Sequence, residues 1–225
     1  MRKSKAVFSE LTVIDDPTPR PGPLNMAIDE VLLGRARSAI LRFYRWSAPS
    51  VSFGYFVSFA EACEIARNRA TVRRWTGGGI VPHGGDLTYS IMIGAKDDAF
   101  ALPSKIIYQR VHSALANALR EIGIVSALVE IETSKTSDAC FANPVVSDVM
   151  ESGRKIAGAA QRKTRSGLLH QGSIQRANLD ERFRIVFARL LGQQITSGNI
   201  EGAVLREAEE LAATKYATDA WLRRR

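Results

Sequence analysis

Cysteine is scarce in this chain of 225 residues, which has only Cys63 and Cys140. So sparse a pair in a chain with no secretion signal reads as two reduced thiols rather than a disulfide framework. No apolar run approaches the roughly 20 residues of a membrane span. The N-terminus MRKSKAVFSELTVIDD lacks the apolar core of a signal peptide, so the expected location is the cytoplasm, with no membrane partner. The three histidines, His83, His112 and His170, are far apart and no CxxC or HxxxH pair occurs, so no metal site is expected. Internal repeats and low-complexity linkers are also lacking.

What is abundant is positive charge, a formal net +8, which implies an acidic partner. The basic residues are scattered (Arg35, Arg37, Arg42, Arg45, Arg67, Arg69), and the only three adjacent ones are Arg223-Arg224-Arg225. Aromatics do not interleave with a basic stripe as a single-strand binding face requires. An acidic protein fits the charge, and nucleic acid is not expected as a partner.

Periodicity gives the elements. A short strand is expected at Leu11–Ile14, and the proline-rich run Asp16–Pro23 breaks regular structure. From Leu24 to about Ser38, Leu24, Ile28, Val31 and Leu32 recur at helical spacing; Asn25 and Asp29 on this helix serve as caps, solvated groups or ligand contacts. Ile40–Trp46 and Ser50–Phe56 read as neighbouring strands, with Gly54 as a bulge. Helices follow at Phe59–Asn68, with Cys63 as a buried structural thiol, at Ser104–Ile122, with His112 a satisfied histidine, and at Leu179–Leu191. Strands are expected at Val145–Met150, Lys155–Arg162 and Gly167–Ile174, the first two joined by a hairpin loop at Glu151-Ser152-Gly153-Arg154. From Gly202 onward the chain looks helical and mostly solvated. Together these imply one α+β domain over residues 1–225, with a core of about 20–180 and a C-terminal helical segment at 179–225. Its sheet is central, mixed and mostly antiparallel, flanked by helices.

Two stretches carry candidate chemistry. In Arg73-Arg74-Trp75-Thr76-Gly77-Gly78-Gly79-Ile80-Val81-Pro82-His83, three consecutive glycines forfeit side-chain contacts and cost backbone entropy, so something must need bare backbone there. Their amides can form an anion-binding nest, and Arg73 or Arg74 can hold a carboxylate or phosphate. The pattern matches neither GxxxxGK[ST] nor GxGxxG, and a glycine-rich hairpin is the structural alternative. His83 lies where an imidazole can bind or orient substrate. In the second stretch, residues 140–174, the hairpin folds Lys155 back toward Cys140, and Ala157-Gly158-Ala159-Ala160 has almost no side-chain volume, which suits close approach of a ligand. His170 lies on the following strand. A β-meander with a core cysteine and a surface lysine is the plain alternative. A free thiol is only about 3% thiolate at neutral pH. An ammonium about 4 Å away at an effective dielectric near 20 stabilises the thiolate by up to about 4 kcal/mol, enough to activate it.

The segments PLNMAIDEVLL with ILRFYRWSAPSVSFGYF, RRWTGGGIVPHGGDLTYS, and CFANPVVSDVMESGRKIAGAAQRKTRSGLLHQGSI resemble the lipoate–protein ligase and octanoyltransferase family over roughly residues 20–180. The resemblance implies the fold of the biotin-ligase catalytic domain. It also implies that the loop from Arg74 to His83 is the acyl-binding segment, which sees the adenylate in ATP-using members, and that Lys155 contacts the acyl carbonyl or phosphate. In the cysteine-dependent branch the nucleophile precedes the lysine by fifteen residues in an Ala-Cys-Phe context, as Ala139-Cys140-Phe141 precedes Lys155 here. The resemblance therefore implies catalysis by Cys140 and Lys155. The implied substrate contacts are Arg74, Gly77, Gly78, Gly79, His83, Gly158, Ala160 and His170. The expected reaction moves octanoyl or lipoyl from an acyl carrier protein to the lysine of a lipoyl domain or a glycine-cleavage H-type protein, without a cofactor. Two departures stand against this branch: Gly79 occupies a position where these transferases usually carry arginine, and Gly84 one where both branches commonly carry aspartate. The alternative is an ATP- and Mg-dependent lipoate–protein ligase, and a non-catalytic binding module comes third.

Overall fold

The structure, a computed structural model, describes residues 6–130, 144–176 and 179–224. Eleven strands and six α-helices are described. In chain order they are β1 (Phe8–Asp15), α1 (Gly22–Arg35), β2 (Ala39–Tyr44), β3 (Ser50–Phe53), α2 (Phe59–Ala66), β4 (Ala70–Arg73), β5 (Ile80–His83) and β6 (Leu87–Gly94). Then follow α3 (Ser104–Glu121), β7 (Ala127–Leu128), β8 (Val149–Glu151), β9 (Arg154–Lys163), β10 (Gly167–Ile174), α4 (Glu181–Leu191), β11 (Gly192–Ser197), α5 (Gly202–Leu211) and α6 (Asp219–Leu222).

The main sheet has the order β11-β1-β2-β6-β10-β9-β8-β7. Its β11, β1 and β2 run parallel and the remaining pairs are antiparallel, the mixed and mostly antiparallel sheet the sequence implies. One face packs on α3 and α4 through a core that includes Leu115, Leu119, Phe183 and Phe187. The other packs on α1 and α5 through Ile28, Leu32, Leu169 and Val204. A separate three-stranded sheet, β4-β3-β5, carries α2.

Several expectations need correction. Strands β2 and β3 are not neighbours; the chain turns at Ser47-Ala48-Pro49 and leaves one sheet for the other. Gly54 is no bulge: a Cβ there would lie 1.9 Å from the Gly78 carbonyl oxygen, so glycine is needed to let the Gly77-Gly78 backbone cross. Val145–Asp148 is a turn rather than strand, and β8 begins only at Val149. Cys63 is exposed, because the short α2 buries Ala62 and Ala66 and turns residue 63 outward. The C-terminal segment is helical with most of its residues exposed, as expected, but one side of it, with Val204, Ala208, Tyr216 and Trp221, is buried against α1 and the residues around Trp75.

The hairpin between β8 and β9 forms as expected. Ser152 (φ 48°) and Gly153 (φ 78°) both take the left-handed conformation that a two-residue turn matching the sheet's twist requires. Register in β9 and β10 pairs Gln171 with Ala160 and Ser173 with Gly158, which places polar side chains beside the stretch of least side-chain volume.

Candidate active site

A narrow pocket lies between the two sheets. Its floor is Gly158-Ala159-Ala160 of β9 with Gln171, Gly172 and Ser173 of β10; its walls are Met26, Tyr44 and Trp46 on one side and Ser52, Arg74 and His83 on the other. The sequence-derived candidates Arg74, His83, Gly158 and Ala160 therefore share one cavity.

Lys155 does not line the pocket but reaches Gly158 of its floor. Its side chain curls over Gly158, where an added Cβ would meet Lys155 Cε at 2.6 Å and Nζ at 2.9 Å. Its ammonium pairs with Asp148 Oδ2 at 2.7 Å, and both side chains are buried. Asp148 also accepts from the Tyr108 hydroxyl at 2.5 Å and the Val145 amide at 2.7 Å. Burial, followed by the charge of Asp148, pushes the Tyr108 phenol far above its ordinary range, which keeps it a donor. The sequence reading treated Lys155 as a lone cation; the structure makes it half of an ion pair, which weakens its field at any neighbouring group. Cys140, with Ala139 and Phe141, lies outside the described residues.

The glycine loop is held by arginine rather than opened toward an anion. Arg74 Nη2 donates to the carbonyls of Gly77 (3.0 Å) and Gly79 (2.9 Å), and Nη1 donates to Ser52 Oγ (2.7 Å). Gly78, at φ 79°, would bring a Cβ within 3.2 Å of Ala160 Cβ. The loop thus leans on the pocket floor, although none of Gly77, Gly78 and Gly79 lines the cavity. Arg73 is not an anion holder: it donates to the carbonyls of Tyr55, Val57, Trp221, Leu222 and Arg224, clamping the C-terminus to β4.

His83 is buried with both ring nitrogens engaged: Nε2 lies 2.6 Å from Ser52 Oγ and Nδ1 lies 2.8 Å from Asp86 Oδ2. Trp46 stacks on the ring at 4.0 Å. Burial lowers the His83 pKa and Asp86 offsets this only partly, so the imidazole is neutral near pH 7. Burial pushes Asp86 upward, but hydrogen bonds from His83, Ser173 and Thr88 outweigh it and hold the carboxyl below its usual range. His170 does not line the pocket. Its ring turns to the opposite face of β10, toward α3, 3.0 Å from Gln161 Nε2 and 3.3 Å from the Tyr89 hydroxyl, and burial lowers its pKa well below the ordinary value.

Behind the pocket lies a charge network that sequence reasoning missed. Arg42 is fully buried and donates to Asp29 Oδ1 (2.9 Å), Asp16 Oδ2 (2.8 Å) and Asn25 Oδ1 (2.8 Å). Asp29 Oδ2 accepts from Ser90 (2.5 Å) and Gln171 Nε2 (2.8 Å), and Gln171 Oε1 accepts from Thr76 (2.9 Å). A continuous chain of hydrogen bonds, charge-assisted as far as Gln171, thus joins α1 to the glycine loop through a pocket-lining glutamine. Asn25 and Asp29 neither cap nor face solvent. Asp148, Ser52 and Asp86 were missed too; the spacing of Asp86, three residues after His83, was the available signal for one of them.

The model of the lipoyl protein ligase A/B catalytic domain matches residues 21–194. The chain belongs to that family. Within it, the chain is similar to octanoyltransferase LipM of Symbiobacterium thermophilum, 29% identical over 90% of this chain and 94% of the relative. It is also similar to octanoyltransferase LipM of Moorella thermoacetica, 31% identical over 85% and 83%. Among solved structures it is similar to the bi-partite lipoate protein ligase of Thermoplasma acidophilum, described with its E2 lipoyl domain: TM-score 0.70, 21% identity, 95% of each chain covered. That last likeness establishes the fold. Among the described residues no helix is long and apolar enough to cross a membrane, and no group of three or more His, Cys, Asp or Glu is placed to hold a metal ion.

Proposed function

We propose that the chain is an acyltransferase that moves an octanoyl or lipoyl group onto the lysine amine of a lipoyl-carrying domain by way of a Cys140 thioester. The observation that carries this reading is the Lys155 ammonium folded over Gly158 in the floor of a pocket walled by Arg74 and His83. It is supported by family membership and by relatives named octanoyltransferase. The Cys140 thiolate attacks the carbonyl of an acyl thioester on a carrier protein. The C–S bond to the carrier breaks, and the carrier thiol leaves with a proton. The acceptor lysine then attacks acyl-Cys140, forms the amide and returns the cysteine thiol. Lys155 faces the charge developing on the carbonyl oxygen in both steps. The acceptor is a lipoyl domain or an H-type protein of the glycine-cleavage system, and no cofactor is needed.

The free space in the pocket is about 30 Å³, room for one or two waters and less than an eight-carbon chain fills. Acyl binding therefore displaces a lining side chain, and the unbranched, adaptable Met26 is the residue suited to yield.

A second reading is favoured by Gly79, which completes a triple glycine where the transferase branch usually has arginine: an ATP-dependent lipoate–protein ligase, with Mg and a free acid. The two separate by donor. With a lipoyl domain as acceptor, the transferase modifies it from octanoyl carrier protein without nucleotide. Modification only from free lipoate or octanoate with ATP and Mg²⁺ overturns the transferase reading in favour of the ligase.

A further inference from the structure

The proposed transfer leaves unused a hydroxyl, an imidazole and a carboxylate that stand in line on the pocket wall. Ser52 lies on β3 and His83 ends the antiparallel partner β5, so the ring reaches across the pair to Ser52 Oγ at 2.6 Å. On its far side Nδ1 meets Asp86 Oδ2 at 2.8 Å. Asp86 is fixed by Thr88 (2.9 Å), Ser173 (2.7 Å) and the Gly84 amide (3.1 Å). A carboxylate so surrounded only accepts, so Nδ1 carries the proton. The Nε2 lone pair then faces Ser52, whose hydroxyl donates to it. This is the protonation pattern of a serine nucleophile with its base and orienting acid, recognised by geometry rather than by sequence order.

The serine has a second neighbour that suits the role. Arg74 Nη1 lies 2.7 Å from Oγ, so charge left on that oxygen as its proton departs meets a guanidinium. Ser52, His83 and Arg74 all line the cavity opposite Gly158-Ala159-Ala160.

We infer that Ser52 is a second acyl acceptor in this pocket, one that hydrolyses medium-chain esters and thioesters without Cys140. In the first half, a bond forms between Oγ and the acyl carbon, and the ester C–O or thioester C–S bond breaks. The Oγ proton passes to His83 Nε2 and on to the departing oxygen or sulfur. In the second half, water attacks acyl-Ser52 and gives its proton through Nε2 back to Oγ, and a free fatty acid leaves. The sum is ester plus water to acid plus alcohol, with no change of oxidation state and no cofactor. A hydrolytic branch of this kind would clear pockets loaded with acyl groups that no acceptor collects.

The full-length protein is tested with p-nitrophenyl octanoate and, separately, with an alkyl fluorophosphonate followed by peptide mapping. The expected results are phosphonylation of Ser52 and nitrophenol release that persists in Cys140→Ala. The same release falls at least a hundredfold in Ser52→Ala and in Asp86→Asn, which keeps the carboxylate's shape but not its charge. Labelling of the unsubstituted protein decides the matter even if Ser52→Ala fails to fold. No label on Ser52, or hydrolysis lost in Cys140→Ala, overturns the inference. Transfer to a lipoyl domain is scored in the same Cys140→Ala protein: its loss supports the thioester route whatever Ser52 does, and its persistence removes that route without touching the serine.

Discussion

Replacing Asp148 by asparagine isolates the charge of Lys155. An ammonium about 4 Å from a thiolate, at an effective dielectric near 20, stabilises it by about 4 kcal/mol. The Asp148 carboxylate sits 2.7 Å from that ammonium; were the Cys140 sulfur about 4 Å away on the far side and in line, the carboxylate, at roughly 6.7 Å, would oppose by about 2.5 kcal/mol and leave a net of about 1.5. The substitution removes the opposing charge, and the new amide keeps one carbonyl oxygen, which can accept from Tyr108 or from Val145 but not from both, since they bond different oxygens of Asp148. The Cys140 thiol in Asp148→Asn should therefore ionise at lower pH than in the parent. Because a less basic thiolate is also a weaker nucleophile, with a Brønsted coefficient of about 0.4–0.5, the gain in rate is smaller than the gain in thiolate. Iodoacetamide alkylation, followed in a Cys63→Ser background because Cys63 is exposed, should be several-fold faster at pH 5. Lys155→Met should shift the profile the other way. Unpairing a buried lysine also costs about 3–5 kcal/mol of stability, so the profiles are taken well below the melting point. Coincident profiles for all three proteins would refute the idea that Lys155 and Cys140 share a site.

Gly158→Ala places a methyl 2.9 Å from Lys155 Nζ and 3.2 Å from Asp148 Oδ1, straining their buried ion pair; the melting point should fall and acyl transfer should drop at least tenfold, and unchanged transfer would count against Lys155. Asp29→Asn or Arg42→Met breaks a buried ion pair and should cost about 3–5 kcal/mol. At roughly 2–4 °C per kcal/mol for a chain of this size, calorimetry should show the melting point falling by about 6–20 °C. Burial holds His112 down at about 4 from an ordinary 6.5. The unfolded chain takes up that proton first, so the stabilisation is complete above pH 6.5 and is lost as pH falls from 6.5 to 4, by about 3 kcal/mol. Urea midpoints should follow that course and flatten in His112→Gln; equal pH dependence in the two proteins would contradict it.

The parts of this fold that were legible in the sequence are those with a local cause. The turn Ser152-Gly153 and the apolar stripe of α3 each announce themselves within a few residues. The small side chains at 157–160 mark a floor because nothing else explains giving up that volume. What escaped is whatever needs a partner from far along the chain. Arg42, Asp29 and Asp16 escaped as a network because periodicity registers only apolar positions; they are buried because each neutralises another. Adjacency suggested that β2 and β3 pair, since consecutive strands commonly do, whereas a corner at Pro49 starts a second sheet. Lys155 was identified by its setting, but its counter-ion Asp148 lies across a hairpin whose register a bulge at Val149/Met150 shifts.

The central claim is that acyl groups pass through the sulfur of Cys140. Its most direct measurement is to quench the enzyme after mixing with octanoyl carrier protein alone, digest it at low pH and locate the octanoyl group by peptide mass spectrometry. The account predicts a single hydroxylamine-labile octanoyl group on the peptide bearing Cys140, discharged when a lipoyl domain is added before the quench. An enzyme that carries no octanoyl group there, yet still modifies the lipoyl domain, would contradict it.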